Sequence, residues 1–232
     1  KRAQILYAPT GAGKTEMAIE LLRATKAKGN KSAMLLDRIV LCDQTSRRLE
    51  KYSIDHGVMQ SGHWRYRPYE NIQVCSAQTL ERRGDFPGLQ LLIVDEAHSL
   101  PLELLEEIRL LANIETNEQK LLSVILAGQP ELASRLNTES LRQLKQRVAL
   151  RCELRLLNVQ ETAAYLAGRI RAAGGVGAQV FTRDAVALIH ERAKGIPRTM
   201  NVLADNALLS AFATGERPVT RQTVMDVCRD FD

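Results

Sequence analysis

A three-layer α/β/α fold with a mostly parallel sheet, followed by a small all-helical domain, is predicted by three observations. Apolar runs alternate with helical patterns along the first two thirds of the chain, as strands joined by crossover helices do. A glycine-rich turn separates the first apolar run from the first helical stretch. From about Asn158 strand signals stop and helical stretches alone follow. The domains expected are therefore residues 1–157 and 158–232.

The elements follow in order. Strands are expected at Gln4–Ala8, Ser32–Asp37, His56–Gln60, Ile72–Ser76, Leu89–Asp95, Leu122–Ala127 and Cys152–Leu156. Helices begin at Lys14, Arg38 and Pro101, the last because proline suits a first helical turn. In the second domain they run Gln160–Ala173, Thr182–Lys194, Arg198–Thr214 and Arg221–Asp230. Gly174-Gly175, Gly195-Ile196-Pro197 and Gly215–Pro218 punctuate them. Thr182 reads as an N-cap.

Composition narrows the class. The 232 residues suit one large α/β domain or a core with a small second domain. With 45% hydrophobic but only 4% aromatic residues, aliphatic side chains must fill the core. No apolar run approaches the roughly 20 residues of a membrane span, so no membrane insertion is expected. Cys42, Cys75, Cys152 and Cys228 are scattered without a CxxC pair, which argues against zinc and for a reduced, cytoplasmic protein. The chain opens on an apolar strand without Met, as a fragment would. Residues 1–98 hold 15 Lys/Arg against 11 Asp/Glu, a net of +4, whereas 99–232 hold 17 against 16. The first part is the expected nucleic-acid face.

The chemistry concentrates at Ala8-Pro-Thr-Gly-Ala-Gly-Lys-Thr15. It is a phosphate-binding loop, except that Ala8 replaces the usual first glycine. Gly11 and Gly13 let the backbone wrap phosphate oxygens, so Pro9, Thr10, Gly11, Ala12, Gly13, Lys14, Thr15 and Glu16 are the nucleotide-binding residues expected. Lys14 supplies a cation for the β- and γ-phosphates and Thr15 a hydroxyl for Mg2+. Leu91–Val94 is an apolar run ending in Asp95-Glu96, at the strand end where parallel sheets collect ligands. Asp95 is the second Mg2+ ligand expected and Glu96 the base that orients the attacking water. The cofactors are thus ATP and Mg2+.

Two family resemblances share the chain. Residues 1–98 resemble the first motor domain of a superfamily 2 helicase through their phosphate loop and Asp95-Glu-Ala-His98. Leu36–Thr45 and Val74–Leu80 resemble its motifs Ia and Ib. That resemblance places Arg38, Gln44, Gln78 and Thr79 near a nucleic-acid backbone; ordinary strand-end polar residues are the alternative. The chain departs from the pattern where Ala127-Gly-Gln-Pro130 replaces Ser-Ala-Thr, and no second motor domain follows. From about residue 91 the chain resembles secretion-type AAA+ ATPases of the ExeA kind. Pro101–Thr116, Leu126–Leu132, Leu141–Val148 and Gly195–Val202 carry this likeness. It implies that Gln129 acts as sensor 1, Arg198 as sensor 2 and Arg147 as an arginine finger in a neighbouring copy; the alternative for both arginines is a solvated helix-end charge.

His63–Tyr69 interleaves aromatic residues with arginines, so Trp64, Arg65 and Arg67 are further nucleic-acid candidates. A loop whose Trp64 packs on the core is the alternative. His98 reads as a link from the ATP site to a polar neighbour, and His56 and His190 as structural residues.

The function expected is hydrolysis of ATP, coupled to conformational change on a protein or nucleic-acid partner, DNA or RNA, with self-association through Arg147. A nucleic-acid-dependent helicase-like module is one alternative. A nucleotide-binding but inactive scaffold, chimeric or designed, is the other.

Overall fold

The computed structural model describes residues 3–60, 62–79, 88–111 and 122–230. Leu80 of the second helicase-like segment and residues 112–116 of Pro101–Thr116 lie outside them. The chain divides into two compact units, Lys1–Pro9 with Lys14–Leu154, and Thr10–Gly13 with Arg155–Asp232.

The first unit is built on seven strands: β1 (Ala3–Tyr7), β2 (Ser32–Leu36), β3 (Gly57–Met59), β4 (Ile72–Ser76), β5 (Leu91–Val94), β6 (Ser123–Gly128) and β7 (Val148–Glu153). They form one parallel sheet in the order β3-β4-β2-β5-β6-β1-β7. Helices α1 (Lys14–Ala27), α2 (Ile39–Lys51), α3 (Leu102–Leu111), α4 (Glu131–Arg135) and α5 (Arg142–Arg147) join the strands. Successive side chains of a strand point to opposite faces, and both faces here are covered. Ile5, Leu35, Leu92, Val94 and Leu126 pack with Leu104, Leu105 and Ile108 of α3. Met34, Leu36, Ile93 and Ile125 pack with Ile19 and Leu22 of α1 and Leu49 of α2. That double burial explains why the inner strands read as unbroken apolar runs.

The edge strand differs. β7 runs Val148–Glu153 rather than the expected Cys152–Leu156. It pairs with β1 alone and is largely exposed, so its sequence carries no buried apolar run to mark it. Cys152 is exposed on this strand, Cys42, Cys75 and Cys228 are buried, and none of the four forms a disulfide. Burial pushes the Cys42 thiol up to about 12.

His56 lies fully buried before β3, its Nδ1 2.8 Å from the Ile54 carbonyl oxygen and its Nε2 2.7 Å from Ser46 Oγ. Burial holds its pKa below the ordinary imidazole range and the Arg65 charge adds to this, while the Ile54 carbonyl, Glu50 and Glu70 act the other way. The unfolded chain takes up this proton near pH 6.5, before the folded one does. The stability involved is complete above about pH 6.5 and is lost as pH falls below it. Thermal unfolding of wild type should therefore shift to lower temperature from pH 7 to pH 5, more steeply than that of His56→Gln. Equal slopes would refute the assignment.

The second unit holds α6 (Val159–Ala172), α7 (Arg183–Ala193), α8 (Pro197–Thr214) and α9 (Arg221–Arg229). Local chemistry sets their ends. Asn158 and Glu161 form a reciprocal capping box on α6. Thr182 caps α7 and Thr220 caps α9. Pro197 opens α8, and Gly215 closes it at φ 71°, a left-handed conformation that suits a residue without Cβ. Leu166, Ile189, Met200, Ala207 and Val224 sit in the core these helices share. Among the described residues no helix is long and apolar enough to cross a membrane.

Candidate functional site

In a parallel sheet every strand delivers its following loop to the same edge. β6 lies between β1 and β5, so the loops after all three are neighbours. The Ala8 N–H extends the β1 ladder to the Gly128 carbonyl (3.0 Å), and the Ala97 N–H donates to the Ala127 carbonyl (2.8 Å). Lys14 and Thr15 at the start of α1, Asp95 and Glu96 after β5, and Gln129 after β6 therefore occupy one edge.

Lys14 is buried, and its Nζ donates to the carbonyls of Ala8 (2.9 Å) and Pro9 (3.4 Å). The same ammonium stands 3.9 Å from Glu96 Oε1. Thr15 Oγ1 donates to Asp95 Oδ2 (3.4 Å), across 80 residues of sequence. The other Asp95 oxygen accepts from the Glu96 N–H (3.0 Å). Burial pushes the Asp95 carboxyl above its usual range and the Glu96 charge adds to this, while the Glu96 N–H, Lys14 and Thr15 pull it down. Glu16, by contrast, is exposed and accepts from Tyr52 Oη (2.6 Å).

Glu96 takes φ 51°, a left-handed conformation that side chains rarely adopt. Such strain persists only where surrounding contacts enforce it. Here Glu96 Oε2 stands 3.3 Å from His98 Nε2. The same His98 nitrogen is 3.1 Å from Gln129 Nε2, and the Gln129 N–H donates to His98 Nδ1 (3.4 Å). Arg135 of α4 donates to the His98 carbonyl (2.6 Å). Gln129 thus joins the acid pair through His98. Arg135 and Tyr52 carry no sequence signal that would single them out.

Thr10–Gly13 group with the helical unit. Gly11 (φ 80°) and Gly13 (φ 99°) adopt left-handed backbone there. Within that unit the Arg198 N–H donates to the Gly11 carbonyl (3.3 Å). A Cβ on Gly11 would stand 2.8 Å from Arg198 Cβ, so both backbone and space require glycine. Thr10 is exposed and Pro9 and Ala12 half-buried. Arg198 is exposed in the first turn of α8, and Arg147 is exposed as the last residue of α5.

The nucleic-acid candidates lie on the β3-β4-β2 side of the sheet. Arg38 precedes α2 with its side chain 79% exposed, Gln44 lies exposed on α2, and Gln78 is exposed just after β4. Thr79 shares a hydrogen bond with Ser76 (2.9 Å). Trp64 is 69% exposed, so it does not pack into the core. Arg65 donates to Glu50 (2.5 Å), and its guanidinium lies 5.0 Å from the Trp64 ring centroid. Arg67 is half-buried, with its carbonyl accepting from Gln73 (2.9 Å).

Known proteins resemble this arrangement. The family described as AAA domain matches residues 1–136, across both sides of Asp95. General secretion pathway protein A of Aeromonas hydrophila is 44% identical over 129 residues, 56% of this chain and 23% of that protein. The chain thus spans about a quarter of that relative's length. The ORC2 protein of Aeropyrum pernix superposes with TM-score 0.60 over 97% of this chain and 62% of its own, at 16% identity. The RuvB Holliday junction branch migration motor of Thermotoga maritima gives 0.51 over 91% and 66%, also at 16% identity. At such identity these structures establish the shared α/β fold. The family match, over more than half its length, establishes that this chain belongs to the AAA domain family.

Proposed function

We propose that the chain binds and hydrolyses ATP, and couples the cycle to movement of a partner. The observation that carries the reading is the Thr15–Asp95 contact, which joins the loop after β1 to the acid after β5. A hydroxyl and a buried carboxylate are hard oxygen donors, which fit Mg2+. Thr15 and Asp95 would hold that ion, which would supply positive charge against the phosphate oxygens.

The chain's own residues do the rest. Lys14, now bonded to its own loop's carbonyls, exchanges them for the β- and γ-phosphates. The N–H groups of Thr10–Lys14 and the start of α1 favour the phosphate charge. Glu96 orients a water and accepts its proton as the oxygen attacks the γ-phosphorus, while the bond from that phosphorus to the β–γ bridging oxygen breaks and ADP leaves; His98 and Gln129 hold Glu96 in place. Arg198 reads the γ-phosphate from the first turn of α8, and Arg147 serves a neighbouring copy. The domains we assign are a core of residues 1–157 and a helical lid of 158–232.

Removing Lys14 deletes charge-assisted hydrogen bonds worth about 3 kcal/mol, or about 100-fold in affinity. Titration with a fluorescent ATP analogue should show that loss in Lys14→Ala. Wild-type affinity in the variant would overturn the site, and binding without turnover in wild type would favour an inactive scaffold.

A further inference from the structure

We propose that the β3–β4 connection, with the outer face of α2, is a binding platform for single-stranded nucleic acid. The inference stands apart from the nucleotide reading.

Residues 63–70 of the connection are fastened rather than loose. The Val58 N–H donates to the Arg65 carbonyl (3.0 Å) and the Tyr66 N–H to the His63 carbonyl (3.1 Å). The Gln73 amide donates to the carbonyls of Arg67 (2.9 Å) and Glu70 (2.8 Å). Two side chains tie it to α2. Arg65 is paired with Glu50, and His63 Nε2 stands 3.7 Å from Asp43.

What this fastening displays is aromatic. Trp64 is 69% exposed, Tyr66 47% and Tyr69 75%. The chain has one Trp, five Tyr and four Phe, yet three of these rings stand within six positions and face solvent. None of the three enters a hydrophobic core cluster. Trp64 is held by neighbours instead, with the His63 ring centroid at 5.8 Å and an interplanar angle of 23°, and Arg65 on the ring. A ring fixed in place but open to solvent is what base stacking requires.

The charge beside the rings has the complementary sign. Asp43 and Glu50 lie on the α2 face that meets the connection. Gln44, Arg47, Arg48 and Lys51 follow helical spacing along the adjacent exposed face. Of the acids of this region, Asp43 is paired with Arg47 and Glu50 with Arg65, while Glu70 has no ion-pair partner among the described residues. Arg48, Lys51 and Arg67 have no ion-pair partner among the described residues, so their charge is available to a phosphate backbone. Stacking rings beside free cations select a strand with unstacked bases over a duplex.

Trp64 is the only tryptophan, so its fluorescence reports on the platform directly. Without nucleotide and at low salt, a single-stranded oligo-dT should quench it. Affinity should fall as salt rises, with a slope of about −0.7 per phosphate neutralised. By anisotropy of a labelled oligo-dT, Trp64→Ala should weaken binding about 10-fold or more, and Trp64→Phe should recover part of it. Arg48→Ala with Lys51→Ala should flatten the salt slope. Absence of binding to DNA and RNA single strands at low salt overturns the proposal. So does equal quenching by a duplex, or by poly-glutamate, which would make the surface a general anion or protein contact.

Discussion

Glu96→Gln binds Mg-ATP with nearly wild-type affinity and turns it over about 10²- to 10⁴-fold more slowly, the range that a positioned general base supplies. The substitution keeps the shape of the side chain and removes its ability to take a proton. Phosphate binding rests on Lys14 and the loop, which it leaves in place. The held geometry is the reason to expect a large effect. Glu96 sits at φ 51°, between Lys14 at 3.9 Å and His98 at 3.3 Å. Its position is thus imposed by the fold, at a cost in backbone strain of about 1–3 kcal/mol. Single-turnover hydrolysis beside equilibrium binding of an ATP analogue separates the two effects. Unchanged turnover would remove Glu96 from the mechanism.

Arg147→Ala should lower turnover by roughly 10³- to 10⁵-fold, the worth of an arginine supplied in trans. It should do so in a way that a second, differently damaged copy repairs. Arg147 ends α5 and is followed at once by β7. Val148 is level with Ala3 at the start of β1, whereas the phosphate loop follows Tyr7 at its end. About 13 Å of strand separates the two ends. Arg147 therefore lies at the wrong end of its own sheet to serve its own loop. On the proposed reading, turnover per chain rises steeply with protein concentration. Arg147→Ala chains mixed with Lys14→Ala chains regain part of the activity, since a mixed interface holds one intact site. Flat specific activity and a dead mixture would leave hydrolysis to residues of one chain.

The inner sheet was legible because burial on both faces writes itself as apolar runs. Ile72–Ser76 falls where expected. Glycine, lysine and threonine before α1, and paired acids after β5, likewise marked one edge before any topology was known. What the residue pattern hid depends on distant partners. β7 touches one neighbour and solvent, so no apolar run locates it. Arg65 reads as a nucleic-acid candidate, and its pairing with Glu50, fifteen residues earlier, has no mark in the residue pattern. The contact between Gln129 and His98 spans 31 residues and exists only because β5 and β6 are adjacent.

The uneven burial of the thiols makes the chain chemically addressable. Alkylating reagents attack thiolates. Cys42, Cys75 and Cys228 are buried, and the Cys42 thiol stays protonated at neutral pH. A maleimide dye meets one accessible sulfur, Cys152, on the strand that follows Arg147. Donor and acceptor dyes on separate batches would turn that position into a molecular ruler, reading the approach of two copies by energy transfer without altering a residue.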